Sequence, residues 1–199
     1  MSAARRLVPA VLGLIVVLSS HGGRALPMTP NGRTTNTEFI RSACSSTTYP
    51  ELCFSSLSSY ASAVKSSPML LAHAALSIAL HGARSASTAV KAASSGRVNP
   101  RVAAALRDCM EILGDSIDEL RQSLVEMENL RGKDVGYQIN SIQTWVSAAL
   151  TDDDTCMDGV VSSGDIKTVV RGRVVNVAHL TSNALALINA FASAQSSAP

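Results

Sequence analysis

Aromatic side chains and glycine-rich motifs are scarce in this sequence. Phe, Tyr and Trp together make up only 4% of the 199 residues, which is too few to build a platform on which sugar rings stack. There is no Gly-x-Ser-x-Gly turn to present a nucleophilic serine, and no glycine-rich phosphate loop. These absences disfavour most hydrolases and nucleotide-binding enzymes. We expect a protein that is not an enzyme and that carries no cofactor.

Metal-binding patterns are also missing. His73 and His81 are eight residues apart, so on one helix their directions differ by about 80°, whereas a metal-binding pair favours a spacing of four. His179 stands alone, and His21 falls within the first 25 residues. No two cysteines have the Cys-x-x-Cys spacing typical of zinc sites. We therefore expect no metal site.

Long apolar runs are limited to one, at Leu7–Leu18, which follows the basic pair Arg5-Arg6 and precedes Gly23-Arg24-Ala25. Small residues at the first and third of those last positions suit a signal peptidase. The run is shorter than the roughly 20 apolar residues of a membrane span. The pattern predicts a signal peptide over residues 1–25 and a secreted, soluble mature chain beginning near Leu26; an N-terminal membrane anchor is the alternative.

Net charge is small once that signal is removed. The whole chain has 17 basic and 15 acidic residues, and residues 1–25 contain three arginines and no acid. The mature chain is therefore 14 − 15, or −1. Nothing in this balance predicts a nucleic-acid partner, and no membrane partner is expected after signal removal.

Sustained period-2 alternation is absent, and helical periodicity dominates instead. Four long segments are predicted as helices, at 68–93, 99–130, 134–161 and 165–191. The second shows a heptad seam, formed by Leu106, Met110, Leu113, Ile117, Leu120, Leu124 and Met127. Long helices joined by short loops are typical of an all-α, up-down-up-down four-helix bundle.

The remaining residues complete the predicted domain organisation. Residues 26–36 are rich in proline, glycine and polar side chains and are interpreted as a flexible arm. A hairpin of two short helices is predicted over 37–66 and the bundle over 67–192, which together make one domain, 37–192. A Ser/Ala-rich tail, 193–199, ends the chain.

The four cysteines fit this arrangement as two disulfides. Cys44 and Cys53 lie nine residues apart across a turn containing Pro50. Cys109 lies 23 residues before the turn near residue 132 and Cys156 lies 24 after it, so in antiparallel helices they reach the same height. Four cysteines allow three pairings, and this one is local and geometrically easy. Free thiols would be unusual in a secreted protein.

Acidic residues are concentrated in the second and third predicted helices. Twelve of the fifteen lie between Asp108 and Asp158, against only Arg121, Arg131 and Lys133, which gives that window 3 − 12 = −9. A solvated helix face, a docking face for a basic partner and a carboxylate pair for hydrolysis are all compatible with this clustering. The shortage of aromatic residues disfavours the hydrolytic pair.

Five segments resemble one known family, the plant invertase and pectin methylesterase inhibitors. The residues from Cys44 to Cys53 resemble its N-terminal hairpin, and 105–111 its second-helix motif. Residues 144–151 followed by 155–159 resemble its third-helix motif, and 180–187 its C-terminal helix. The resemblance covers about residues 37–191. Leu113 and Val160 depart from it, because tyrosine and phenylalanine are frequent at these positions.

The resemblance implies a four-helix bundle with an N-terminal helical hairpin and the same disulfide pairing. It implies a plant cell-wall protein of the apoplast, without catalytic activity, that inhibits a carbohydrate-active enzyme in a one-to-one complex. The Pro-Lys-Phe motif of invertase inhibitors is missing from Gly164–Val169, and the ending at 181–187 is more similar to pectin methylesterase inhibitors. Pectin methylesterase is therefore the expected partner, and acid invertase is the alternative.

The resemblance implies that the bundle covers the pectin-binding cleft of the esterase and blocks access of the polymer. From charge and position we expect the second and third helices to make the contact, through Glu111, Asp115, Asp118, Glu119, Thr144, Ser147 and Thr151. Two other functions remain open, a module like an esterase pro-region and a secreted helical carrier of a small apolar ligand.

Overall fold

A computed structural model describes residues 32–159 and 165–196 of the chain. Every regular element in these ranges is helical, and no strand occurs in them. The predicted signal peptide, most of the predicted arm, Val160 and the last three residues lie outside the described residues. The all-α prediction is confirmed.

Three short helices precede the bundle: α1 (Gly32–Cys44), α2 (Pro50–Leu57) and α3 (Ala61–Val64). Helix α1 begins five residues before the predicted hairpin, so 32–36 are helical where an arm was predicted. The Ser66 hydroxyl donates to Asn36 Oδ1 at 2.8 Å, and this contact ties the start of α1 to the turn after α3. Such a tertiary contact stabilises a first turn that composition alone would leave irregular.

Four long helices follow: α4 (Pro68–Ser94), α5 (Pro100–Glu128), α6 (Val135–Gly159) and α7 (Asp165–Ser196). Two of them begin with a side-chain N-terminal cap. The Ser67 hydroxyl accepts from the backbone N–H of Leu70 at 3.3 Å, and Asn99 Oδ1 accepts from that of Val102 at 2.9 Å. A proline follows each cap in the first turn, where its missing N–H leaves no helical bond unmade.

The four long helices pack in a ring, with α4 against α5 and α7, and α6 against α5 and α7. The heptad seam predicted for α5 is confirmed, because its residues lie in or against the core that the four helices share. Leu106, Leu113 and Leu120 are fully buried, whereas the alternate seam residues Met110 and Ile117 are half-buried at its edge. Leu113, which departs from the family pattern, is thus an ordinary core residue.

Helix α7 is long and apolar enough, by length and composition, for Val170–Ser196 to cross a membrane. However, 56% of its most apolar stretch is buried inside the protein. Val174, Ala184 and Ile188 have no exposed surface. This hydrophobicity is therefore accounted for by the core of the bundle.

The N-terminal hairpin is fixed to α7 by polar and ring contacts. Asn183, only 2% exposed, accepts from the backbone N–H of Tyr49 and donates to the carbonyl of the same residue, both at 3.0 Å. The Tyr49 ring stacks on His179 with ring centroids 3.7 Å apart. These contacts join the turn before α2 to the middle of α7.

The disulfides pair Cys44 with Cys53 and Cys109 with Cys156, as predicted from their positions along the chain. The first closes the turn between α1 and α2, with Cα atoms 5.5 Å apart. The second joins α5 to α6, with Cα atoms 4.5 Å apart. All four cysteines are buried.

Candidate functional site

The residues predicted to contact a partner lie on two helices that pack side by side, α5 and α6. We call the outward side of this pair the α5–α6 face; it is defined by Glu111, Asp115, Asp118, Glu119, Thr144, Ser147 and Thr151. The four acids follow spacings of four, three and one, and therefore share one side of α5. All seven are exposed except Glu119, which is half-buried.

The three hydroxyl residues of this face all use their hydrogens inside α6. Thr144 donates to the carbonyl of Asn140 at 2.9 Å, Ser147 to that of Gln143 at 2.7 Å and Thr151 to that of Ser147 at 3.0 Å. Because each hydrogen is engaged, the oxygen presents only acceptor lone pairs to solvent. These three side chains are therefore suited to accept hydrogen bonds from arginine or lysine side chains of a partner.

Charge on the α5 side is less uniform than the sequence suggested. Asp118 forms an ion pair with Arg121 one turn further on, which partly neutralises it. Neither Glu111 nor Asp115 has an ion-pair partner among the side chains that the structure describes. These two carboxylates are the freely presented negative charges of the face.

Glu119 and Asp152 meet between α5 and α6 and share a proton. Burial is the main cause that raises the pKa of Glu119 to about 7, and the negative charges of Asp152 and Asp115 raise it further. Burial and Asp115 also raise the pKa of Asp152. Protonated Glu119 donates to the Asp152 carboxylate, and its oxygen Oε2 is buried. Below neutral pH, Glu119 thus contributes a neutral group to the face.

Asp153 lies between Ala149 and Cys156 on the inward side of α6 and is fully buried. Its two oxygens accept from the Ser116 hydroxyl of α5 and the Thr181 hydroxyl of α7, each at 2.9 Å. Burial raises the pKa of Asp153 to about 7 even though both hydroxyls favour the ionised form. The residue connects three helices, and this role was not predicted from the sequence.

A shallow depression of about 340 Å³ continues the face along α6. It is lined by Tyr137, Asn140, Ser141, Thr144 and Trp145. Tyr137 is 78% exposed, and aromatic residues with polar tips are enriched in protein interfaces. Tyr137 and Trp145 are not among the contact residues predicted from the sequence; their spacing of eight, with Ser141 midway, was the available signal.

A metal site and a cavity for an apolar ligand find little support in the described part of the chain. No group of three or more His, Cys, Asp and Glu side chains there could hold a metal ion. His73 instead lies 3.3 Å from a carboxylate oxygen of Glu128. The core of the bundle is filled by side chains without exposed surface, including Ile142 and Val146 of α6. This packing disfavours a carrier of apolar ligands.

Comparison with known proteins agrees with the family resemblance seen in the sequence. A model of the plant invertase/pectin methylesterase inhibitor family matches residues 38–187. Pectinesterase inhibitor 10 of Arabidopsis thaliana is 46% identical over 166 residues, which cover 81% of this chain and 53% of that protein. Pectinesterase inhibitor 9 of the same plant is 40% identical over 195 residues, covering 92% and 94%. This chain thus spans about half of the first relative and nearly all of the second.

A similar fold is found among solved structures. The crystal structure of a mutant form of a pectin methylesterase inhibitor from Arabidopsis matches with a TM-score of 0.63 at 24% identity. The match covers 75% of this chain and 95% of that one. At this identity the likeness shows that the two share a helical-bundle fold.

Proposed function

Because this chain belongs to the plant invertase/pectin methylesterase inhibitor family, we propose that it is an extracellular inhibitor of a plant pectin methylesterase. The family is one of inhibitors, and the chain is not itself an enzyme. In the proposed complex one inhibitor binds one esterase, covers the cleft that takes up pectin and blocks access of the polymer. It thereby limits pectin de-esterification in the cell wall.

The observation that carries this proposal is the composition of the α5–α6 face. Free carboxylates at Glu111 and Asp115, outward acceptor oxygens on α6 and the depression beside Tyr137 and Trp145 lie on one helix pair. Acceptors of this kind match a basic rim, and the aromatic side chains supply the apolar contact on which stable interfaces depend. Two disulfides in a chain without free cysteines among its described residues suit an oxidising compartment.

Pectin methylesterase is favoured over acid invertase as the target. Both relatives described above are named pectinesterase inhibitors, and the Pro-Lys-Phe motif of invertase inhibitors is missing after Cys156. The purified mature protein should be titrated separately against a plant pectin methylesterase and an acid invertase at mildly acid pH. Loss of esterase activity alone near a one-to-one ratio is expected. Loss of invertase activity alone would reverse the assignment, and no effect on either would reject it.

Reversing the two free charges of the face should weaken inhibition. We expect Glu111→Lys with Asp115→Lys to raise the inhibition constant for the esterase about tenfold or more, since rim charges control encounter with a basic partner. The salt dependence of inhibition should become shallower in the same variant. Glu38→Lys with Glu51→Lys is the matched control, because it makes the same charge change at exposed positions of the hairpin. Equal effects of both variants would exclude the α5–α6 face as the contact.

A further inference from the structure

The side of the bundle away from the α5–α6 face has the opposite charge. Between residues 52 and 107 the chain contains six basic residues and no acid, and 166–199 contains three basic residues and no acid. These stretches include all of α4 and nearly all of α7. Five of these nine basic residues lie on α4 or α7, which pack against each other. The window from Asp108 to Asp158, by contrast, carries −9.

A shallow groove of about 570 Å³ runs between these two helices. We call it the α4–α7 groove; it is lined by His81, Arg84, Ser85, Thr88, Ala89, Ala92 and Arg173. From His81 to Ala92 it extends about 16 Å along α4, at the rise of an α-helix. Alanine and serine side chains leave room for an elongated occupant, and no carboxylate is among the lining residues.

Two guanidinium groups from different helices line this groove, and their positive charges are not neutralised by a neighbouring carboxylate among the described residues. Arg84 and Arg173 are both exposed, and neither forms an ion pair with any side chain that the structure describes. Two like charges beside one groove repel each other unless an anion lies between them. The planar fork of donors on arginine matches a carboxylate with two parallel hydrogen bonds, and the hydroxyls of Ser85 and Thr88 offer partners for sugar hydroxyls.

We propose that the α4–α7 groove binds a carboxylate-bearing sugar polymer, namely pectin from which methyl esters have been removed. The choice of this polymer rests on the proposed function: hydrolysis of a methyl ester by water releases methanol and leaves a carboxylate on the chain. The groove therefore selects the product of the esterase over its neutral, esterified substrate. The inhibitor is held on polymer where the enzyme has already acted, while the α5–α6 face on the other helix pair remains free for the enzyme.

Calorimetric titration of the purified mature protein with a short galacturonate oligomer tests this proposal. Saturable binding that weakens with salt is expected for the unesterified oligomer, and none for the fully methyl-esterified oligomer of the same length. Arg84→Gln with Arg173→Gln should lower the affinity about tenfold or more, since two charge-assisted contacts are lost. Arg107→Gln with Arg131→Gln, which removes the same charge from exposed positions elsewhere, should bind as the unaltered protein does.

Several results would overturn the proposal. These are no binding, equal binding of the esterified oligomer, or equal losses in the groove and control variants. Equal binding of a polyglutamate peptide would assign the groove to an acidic protein instead. A shift from dimer to monomer in the groove variant, measured by sedimentation without any change in oligomer binding, would assign it to the acidic face of a second copy.

Esterase inhibition separates this proposal from the proposed function. The Arg84→Gln, Arg173→Gln variant should inhibit a pectin methylesterase in solution as well as the unaltered protein does, because both changes lie outside the α5–α6 face. Retained inhibition with lost oligomer binding would support both proposals. If the unaltered protein bound the oligomer but inhibited no esterase, the proposed function would fail and the groove assignment would stand.

Discussion

Replacing Cys109 and Cys156 with alanine is expected to lower the free energy of unfolding by about 4 kcal/mol. The bond closes a loop of 47 residues between α5 and α6, and a cross-link stabilises mainly by removing loop entropy from the unfolded chain, so longer loops give larger effects. A domain of this size has a total stability of about 5–15 kcal/mol. The bond thus accounts for a large share of it, and urea unfolding of the variant measures the loss.

Replacing Cys44 and Cys53 with alanine provides the matched comparison. This pair closes a loop of only nine residues, and the same relation gives about 2.5 kcal/mol. Both pairs are buried, so the loss of sulfur from the core is similar in the two variants. Equal losses, or a larger loss for the hairpin pair, would contradict the loop-entropy explanation.

Much of this fold could be predicted because its determinants repeat along the sequence. The heptad seam placed Leu106, Leu113 and Leu120 in the core without knowledge of their partners, because a helix fixes which residues share a face. Short turns then fixed the antiparallel order, and that order brought Cys109 level with Cys156. Ser67 and Asn99 could be recognised as caps because capping depends on a few adjacent residues.

Features that depend on contacts distant in sequence could not be predicted in this way. The N-terminal part of α1, which starts at Gly32, is hydrogen-bonded through Asn36 to Ser66, 30 residues away. The buried position of Asp153 could not be predicted because its hydroxyl partners, Ser116 and Thr181, lie 37 and 28 residues away. A buried acid is costly unless it is hydrogen-bonded, and only the folded structure supplies both donors.

The candidate site was predictable at the level of charge but not of protonation. The clustering of acids on α5 and α6 follows directly from the sequence, and so does the side shared by Glu111 and Asp115. The proton shared by Glu119 and Asp152 depends on how closely two helices approach and on how much water they exclude. The exposure of Tyr137 likewise depends on where α6 begins.

Removing the Asp153 carboxyl should have the second largest effect on stability. Asp153→Ala is expected to lower the free energy of unfolding by about 3 kcal/mol at pH 5, because it leaves the buried hydroxyls of Ser116 and Thr181 without partners and opens a small cavity. Asp153→Asn should cost clearly less, since an amide can accept from one hydroxyl and donate to the other. Denaturant unfolding measures both, and equal costs would show that these hydrogen bonds contribute little.

The same carboxyl should make the protein more stable in acid than at mildly alkaline pH. The pKa of Asp153 is about 7 in the folded protein and near its ordinary value of 3.8 when unfolded, so between these values the folded state holds a proton that the unfolded state releases. Stability therefore falls as pH rises through that range, by about 2 kcal/mol from pH 5 to pH 8, and levels off above. Glu119 acts in the same direction. Asp153→Asn should flatten the profile, whereas Asp158→Asn, at an exposed position of the same helix, should leave it unchanged. An unaltered slope in Asp153→Asn would show that the dependence arises elsewhere.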